Sequence, residues 1–146
     1  AAQSGHTFMY RDHEVSTTGN PYAHAILRGS VNKHGQNIPN YHYEDMILVH
    51  ELYQKHGLVN PCVMVDANHA NSKKIYYEQP RIVAEILHNR KINKDICNMV
   101  KGVMIESFIE EGNQKTDGHI YGKSITDACI GWDTTKELLL YMADNV

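Results

Sequence analysis

Three short apolar runs each end in polar side chains able to do chemistry. They are Arg28-Gly29 after Ala23 to Leu27, Asp66-Ala67-Asn68-His69 after Cys62 to Val65, and Glu106-Ser107 after Gly102 to Ile105. Arg28 to His69 and His69 to Glu106 are both intervals of about 40 residues, enough for a strand, a helix and their connections. That recurrence delivers each polar tail to the same end of a sheet, the C-terminal edge at which barrels and open α/β sheets build their sites. His69 and Glu106, joined by Asp127 from the loop after the third run, form an N/O ligand set. Such a set suits a borderline divalent metal such as Mn, Fe, Co or Zn. Three protein ligands leave coordination positions open, as a Lewis acid needs if it is to bind a carbonyl oxygen or a water. Arg28 offers a planar, permanently charged fork for phosphate or carboxylate, and Gly29 would let a ligand approach the backbone. Taken singly, an Arg closing a strand reads as a salt-bridged cap and a lone His as a satisfied structural residue. Three in register favour a site for an anionic substrate that contains a carbonyl.

The elements that must position these residues follow from the pattern. The apolar runs read as strands buried on both faces of a parallel sheet. Between them, a helix is expected from about Tyr41 to His56, with Asn40 as N-cap, Glu44 and Asp45 in its first turn and Gly57 as its stop. A second runs from about Pro80 to His88, with Ile82, Val83, Ile86 and Leu87 as its apolar stripe. A third opens on Thr134-Thr135-Lys136-Glu137, a capping-box pattern, and buries Leu138, Leu139 and Met142. Strand and helix alternate, which calls for parallel strands with helices returning over the outside. Ahead of them, His6 to Tyr10 and Glu14 to Thr18 flank Arg11-Asp12-His13 and are expected to pair as a hairpin.

The 146 residues amount to one ordinary globular domain, and no stretch approaches the ~20 apolar residues of a bilayer span. The N-terminal AAQSGHTFMYRDHE lacks the basic start and apolar core of a secretory signal, so cytoplasm is the default expectation and no membrane partner is implied. A net charge of -3 without a basic stripe argues against a general nucleic-acid binder. Cys62, Cys97 and Cys129, odd in number, suit reduced thiols better than a disulfide framework. The ten histidines are the one oddity of composition, and most are expected at the surface.

Five strings in order carry a resemblance: Ile26 to Gly29 (ILRG), Met64 to Ser72 (MVDANHANS), Gly102 to Ser107 (GVMIES), Glu111 to Gln114 (EGNQ) and Tyr121 to Trp132 (YGKSITDACIGW). Together they resemble the C-terminal part of the type I 3-deoxy-D-arabino-heptulosonate 7-phosphate (DAHP) synthases, from about Gly19 to the C-terminus, and the last string alone is highly specific. The first eighteen residues match more loosely, like the β-ribbon before the sixth barrel strand of that family. The resemblance implies the C-terminal portion of a (β/α)₈ barrel, with residues 1–20 as ribbon and 21–146 as units six to eight. It implies the enzyme that opens the shikimate pathway, condensing phosphoenolpyruvate with erythrose 4-phosphate and releasing phosphate with the help of a divalent metal. Carried over by position, His69, Glu106 and Asp127 would be metal ligands and Arg28 would hold the phosphoenolpyruvate phosphate.

There are departures from the family pattern. Asn68 stands where Ser is usual before the ligand His, and Ser30 replaces the second Gly after Arg28. The family's fourth metal ligand, a Cys after the first barrel strand, and most of its phosphate clamps belong to an N-terminal half that has no counterpart among these residues. Cys129 does not match that ligand's place and reads as a semi-buried thiol, Cys62 and Cys97 as packing residues, and Trp132 as a buried anchor under the last loop. Three parallel strands with two open edges need a complement. The chain is therefore expected to act in a homo-oligomer of the full-length enzyme or with a complementary N-terminal segment. The competing readings are a metal- or phosphate-binding fragment without turnover, one part of a split enzyme, and a piece of a different α/β metal enzyme.

Overall fold

The computed structural model describes residues 2–146. At the N-terminal end, β1 (Thr7–Tyr10) and β2 (His13–Ser16) pair antiparallel, with Thr7 opposite Ser16 and Tyr10 opposite His13. The hairpin is tighter than expected. His13 belongs to the second strand, and only Arg11 and Asp12 turn the chain, both at positive φ (48° and 63°). Two central residues in that region match the right-handed twist of the flanking strands.

The centre is a three-stranded parallel sheet in the order β3 (Ala25–Leu27), β6 (Val63–Asp66), β7 (Val100–Met104). Its register sets Ile26 beside Met64 beside Gly102, and Leu27 beside Val65 beside Val103. Leu27, Val63, Val65 and Val100 face one way and are buried against Met46, Ile82, Val83, Ile86, Ile96 and Leu138. These come from α1 (Tyr43–Lys55), α2 (Gln79–Ile92), α3 (Lys94–Met99) and α4 (Trp132–Asn145). On the alternate positions, Ile26 is 49% and Met104 39% exposed. The runs are thus apolar on both faces, as expected, but helices cover only one of them.

Two small ribbons decorate the strand ends. β4 (Ser30–Val31) pairs antiparallel with β5 (Asn37–Ile38), and β8 (Glu110–Asn113) pairs with β9 (Lys123–Ser124).

Several expected boundaries move, each for a local reason. The first strand begins at Ala25 rather than Ala23, and the third runs from Val100 to Met104 rather than from Gly102 to Ile105. The cap of α1 is His42, not Asn40, and the Asp45 carboxylate accepts the His42 N–H at 3.1 Å. Asn40 is instead drawn into the site loops, where its Oδ1 accepts the Gly29 N–H at 2.7 Å. α2 continues to Ile92, and Asn93 caps a further short helix, α3, by accepting the N–H groups of Asp95 and Ile96. The capping box at Thr134 does not form. α4 starts at Trp132 behind Gly131, and Thr135, inside the first turn, donates its hydroxyl to the Gly131 carbonyl at 2.8 Å. As the first residue of that helix Trp132 points outward and is 62% exposed, so it is no buried anchor, and Leu139 is exposed where burial was expected.

Gly29 has a different duty from the one its sequence suggests. At φ +71°, an added Cβ would stand 2.8 Å from the Ala70 Cβ, 2.9 Å from the Ile38 carbonyl oxygen and 3.0 Å from the Asn71 nitrogen. The space beside it is filled by the chain's own loops, not left for a ligand. Gly29→Ala is expected to cost about 3 kcal/mol, combining the left-handed backbone penalty of about 1–2 with an overpacking cost of about 1–3. Chemical denaturation should show a lower midpoint at unchanged slope.

Candidate metal centre

The end of β6 carries the centre. Asp66 is its last residue and is buried to 1% exposure, and the chain then turns through Ala67 and Asn68 to His69. His69 adopts φ +45°, a left-handed conformation rare for a side chain with a Cβ. Such a residue persists only where its surroundings over-determine it, and here the loop is braced from every side. The Asn71 side-chain amide donates to the Leu27 carbonyl at 3.0 Å and the Asp66 carbonyl at 2.8 Å, while its Oδ1 accepts the Asn40 N–H at 2.8 Å. Ser72 donates its hydroxyl to Asn68 Oδ1 at 2.7 Å, and Lys74 donates its N–H to the His69 carbonyl at 2.8 Å. At position 68 the Asn amide oxygen therefore helps to pin the turn that carries the imidazole.

The imidazole is oriented by a carboxylate that the sequence displayed but did not mark. Asp66 Oδ2 lies 2.8 Å from His69 Nδ1, and Asp66 Oδ1 accepts the Asn68 N–H at 2.9 Å. Facing a carboxylate, Nδ1 is placed to donate, an orientation that would leave Nε2 to a metal ion. Nε2 lies 3.6 Å from Glu106 Oε1 and 3.5 Å from Asp127 Oδ2. Three ligand atoms, one each from His69, Glu106 and Asp127, lie within 4.8 Å of one another, as a divalent-ion site needs. Donors bound to one ion at ~2.1 Å stand roughly 3–3.5 Å apart, so the donor set fits. With a metal on Nε2, the Asp66–His69 pair would match the carboxylate–histidine arrangement common around metal-bound histidines.

Glu106 is held by a second residue that the sequence concealed. Gln79, fully buried at the start of α2, donates its amide to the Glu106 carbonyl at 3.0 Å and accepts the Glu106 N–H on Oε1 at 2.8 Å. A side-chain amide thus replaces a neighbouring strand just beyond the end of β7. The Glu106 carbonyl also accepts the Ile130 N–H at 3.0 Å, tying in the loop that bears Asp127. Gln79→Leu would leave the Glu106 N–H without a partner, at a cost of about 1–3 kcal/mol. A loss of that size in denaturation, together with weaker Mn²⁺ binding in titration, is the expected outcome.

Asp127, the third candidate ligand, rides on the loop after β9. Cys129 is buried and donates its thiol to the Asp127 carbonyl at 3.4 Å. Burial, reinforced by the Glu106 and Asp127 carboxylates, pushes this thiol up, so at neutral pH it is a hydrogen-bonding packing group rather than a thiolate. All three cysteines are free, Cys62 and Cys97 partly buried and Cys129 more deeply buried than expected. Of the ten histidines, only His50 and His69 are partly buried.

Arg28 stands beside the centre at the end of β3, in the position next to Asp66. Its Nε lies 3.7 Å from Asp66 Oδ2, and its side chain is 59% exposed. The four residues singled out from the sequence are thus brought to one edge of one sheet. Among the described residues, no helix is long and apolar enough to cross a membrane.

Known proteins are similar to this chain over nearly its whole length. The model of the DAHP synthetase I family matches residues 1–140. The Trp-sensitive phospho-2-dehydro-3-deoxyheptonate aldolase of Enterobacter agglomerans is 37% identical over 154 residues, which cover 100% of this chain and 41% of that protein. The phospho-2-dehydro-3-deoxyheptonate aldolase of Haemophilus influenzae is 42% identical over 142 residues, covering 90% of this chain and 35% of that protein. A solved structure, that of phospho-2-dehydro-3-deoxyheptonate aldolase from Francisella tularensis SCHU S4, superposes with a TM-score of 0.79 at 30% identity. It covers 99% of this chain and 42% of that one. The chain therefore spans less than half the length of these relatives.

Proposed function

Because the chain belongs to the DAHP synthetase I family, we propose that it supplies units six to eight of a (β/α)₈ barrel, preceded by the β1–β2 ribbon. In this reading it carries most of a metal site that condenses phosphoenolpyruvate with erythrose 4-phosphate in the shikimate pathway. The observation that carries the proposal is the convergence of His69 Nε2, Glu106 and Asp127 within 4.8 Å, beside Arg28, at one end of three parallel strands. His69, Glu106 and Asp127 hold a divalent ion, Mn, Fe, Co or Zn by their donor chemistry. The bound ion supplies Lewis acidity toward the aldehyde oxygen of erythrose 4-phosphate.

The side chains of this segment do the rest of its share. Arg28 grips the phosphate of phosphoenolpyruvate with its fork and aims C3 of that substrate at the aldehyde carbon. A carbon–carbon bond forms between them, water adds at C2, and inorganic phosphate leaves. Asp66 keeps the proton on Nδ1 so that Nε2 stays a ligand, and Gln79 fixes the backbone of Glu106. The exposed face of the sheet, with Ile26 and Met104, is covered by the remaining barrel strands, which bring the fourth, cysteine ligand and further basic clamps. The cytoplasm, where both substrates would be at hand, is the proposed setting, and the assembled enzyme acts as a homo-oligomer.

A single assay tests the reading. The full-length protein should release phosphate from phosphoenolpyruvate only when erythrose 4-phosphate and a divalent metal are both present, and the isolated 146 residues should release none. Phosphate release without erythrose 4-phosphate would point to a different α/β metal enzyme. Metal binding with no turnover by the full-length protein would favour a binding role, which the half-covered sheet would then explain.

A further inference from the structure

We propose that Asp66 is a positioning residue that couples the cation and anion sites, because one buried oxygen, Oδ2, faces both the His69 ring at 2.8 Å and the Arg28 guanidinium at 3.7 Å. The inference rests on the reading that His69 holds the divalent ion.

Two partners share one carboxylate oxygen, and they compete for its charge. With no anion bound, the Arg28 cation draws on Asp66 and weakens its hold on the His69 Nδ1–H. A phosphate group gripped by Arg28 takes up that positive charge and leaves Oδ2 to the imidazole. A stronger Nδ1–H···O⁻ bond makes Nε2 a better donor, so an anion at Arg28 tightens a cation at His69. By linkage the cation tightens the anion by the same factor. The arrangement can transmit this because Asp66 has little room to respond otherwise. Its side chain is 2% exposed, Oδ1 is occupied by the Asn68 N–H, and its main-chain carbonyl is held by Asn71. Arg28, 59% exposed, is the partner free to move.

The test is a set of Mn²⁺ titrations on the full-length protein, with and without saturating inorganic phosphate, in wild type, Asp66→Asn, Arg28→Gln and the double variant. Phosphate is expected to lower the wild-type Mn²⁺ Kd about fivefold or more, within the usual range of site coupling. Asp66→Asn should raise that Kd by about 10–100-fold and remove most of the phosphate effect. Arg28→Gln alone should tighten Mn²⁺ in the absence of phosphate, and this tightening should vanish in the Asp66→Asn background. Equal effects of Arg28→Gln in both backgrounds would mean charge acting through space, and would overturn the proposal. So would a phosphate effect that survives Asp66→Asn, since phosphate would then ligate the ion directly.

One measurement needs no variant. The ¹⁵N signals of His69 in Zn²⁺-loaded wild-type protein should show a protonated Nδ1 and a metal-bound Nε2, and metal on Nδ1 would sink the proposal even if Asp66→Asn fails to fold. Failure of the metal assignment is separable from failure of the coupling. If His69→Ala leaves Mn²⁺ binding intact, the assignment of the ion falls. If His69→Ala abolishes binding while Asp66→Asn is silent, only the coupling falls.

Discussion

His69→Ala is expected to bring Mn²⁺ binding below detection and to lower kcat/KM by about 10³-fold or more. That is the loss of the several kcal/mol a Lewis-acid ion contributes to the transition state, at about 1.4 kcal/mol per decade of rate. Glu106 and Asp127 alone would be two carboxylates with no nitrogen donor, their side chains 37% and 48% exposed, and such a pair binds divalent ions weakly. The fold should survive, because the turn is held by Asn71, Ser72 and Lys74 rather than by the ring. The hazard is the backbone at φ +45°, which Ala tolerates poorly. His69→Asn is the companion variant, since Asn accepts the left-handed region more readily. Both variants should lose the ion, and His69→Asn should melt close to wild type. Near-normal activity of either one in the full-length protein would remove His69 from the site.

The parts of the fold legible in the sequence were those set by burial. The strands at Ala25 to Leu27, Val63 to Asp66 and Val100 to Met104 are rich in apolar residues because helices bury one face of their parallel sheet, and the polar residues at their ends mark its C-terminal edge. Edge position is what unites Arg28, His69 and Glu106, so the spacing of polar tails was enough to expect their convergence. Hydrogen bonds between distant segments left no such trace. Asp66 stood in plain view three residues before His69, and an acid at that offset from a histidine was the available signal. Its duty toward Arg28 comes only from the β3–β6 pairing. Gln79 gave no signal, since a buried amide that mimics a strand looks the same in sequence as an exposed helix residue.

Local rules failed where tertiary contacts outbid them. Asn40 has the chemistry of an N-cap but spends it on Gly29, and α1 starts at His42. Thr134-Thr135-Lys136-Glu137 has the spacing of a capping box, yet Gly131 already bends the chain and Thr135 bonds back to it. Both cases arise next to the candidate site, in the segments that follow β3 and β9.

Arg28→Lys isolates the anion half of the site. Arg28 makes one ion pair, through Nε to Asp66, and its side chain is 59% exposed. A phosphate presents oxygens in a geometry that two parallel N–H donors match, whereas an ammonium offers a point charge. Lys retains the charge, so what it forfeits is one charge-assisted hydrogen bond, about 1.5–3 kcal/mol. The KM for phosphoenolpyruvate should therefore rise about 10–100-fold. The KM for erythrose 4-phosphate should stay near wild type, because the fork is assigned to the other phosphate. Removing the charge as well, in Arg28→Ala, should deepen the loss to about 10³-fold in kcat/KM, and the gap between the two variants should shrink as salt is added. Steady-state kinetics with each substrate varied in turn decides the matter. An unchanged KM for phosphoenolpyruvate in Arg28→Lys would mean that Arg28 braces Asp66 and nothing more. A rise confined to erythrose 4-phosphate would place the other substrate at the end of β3.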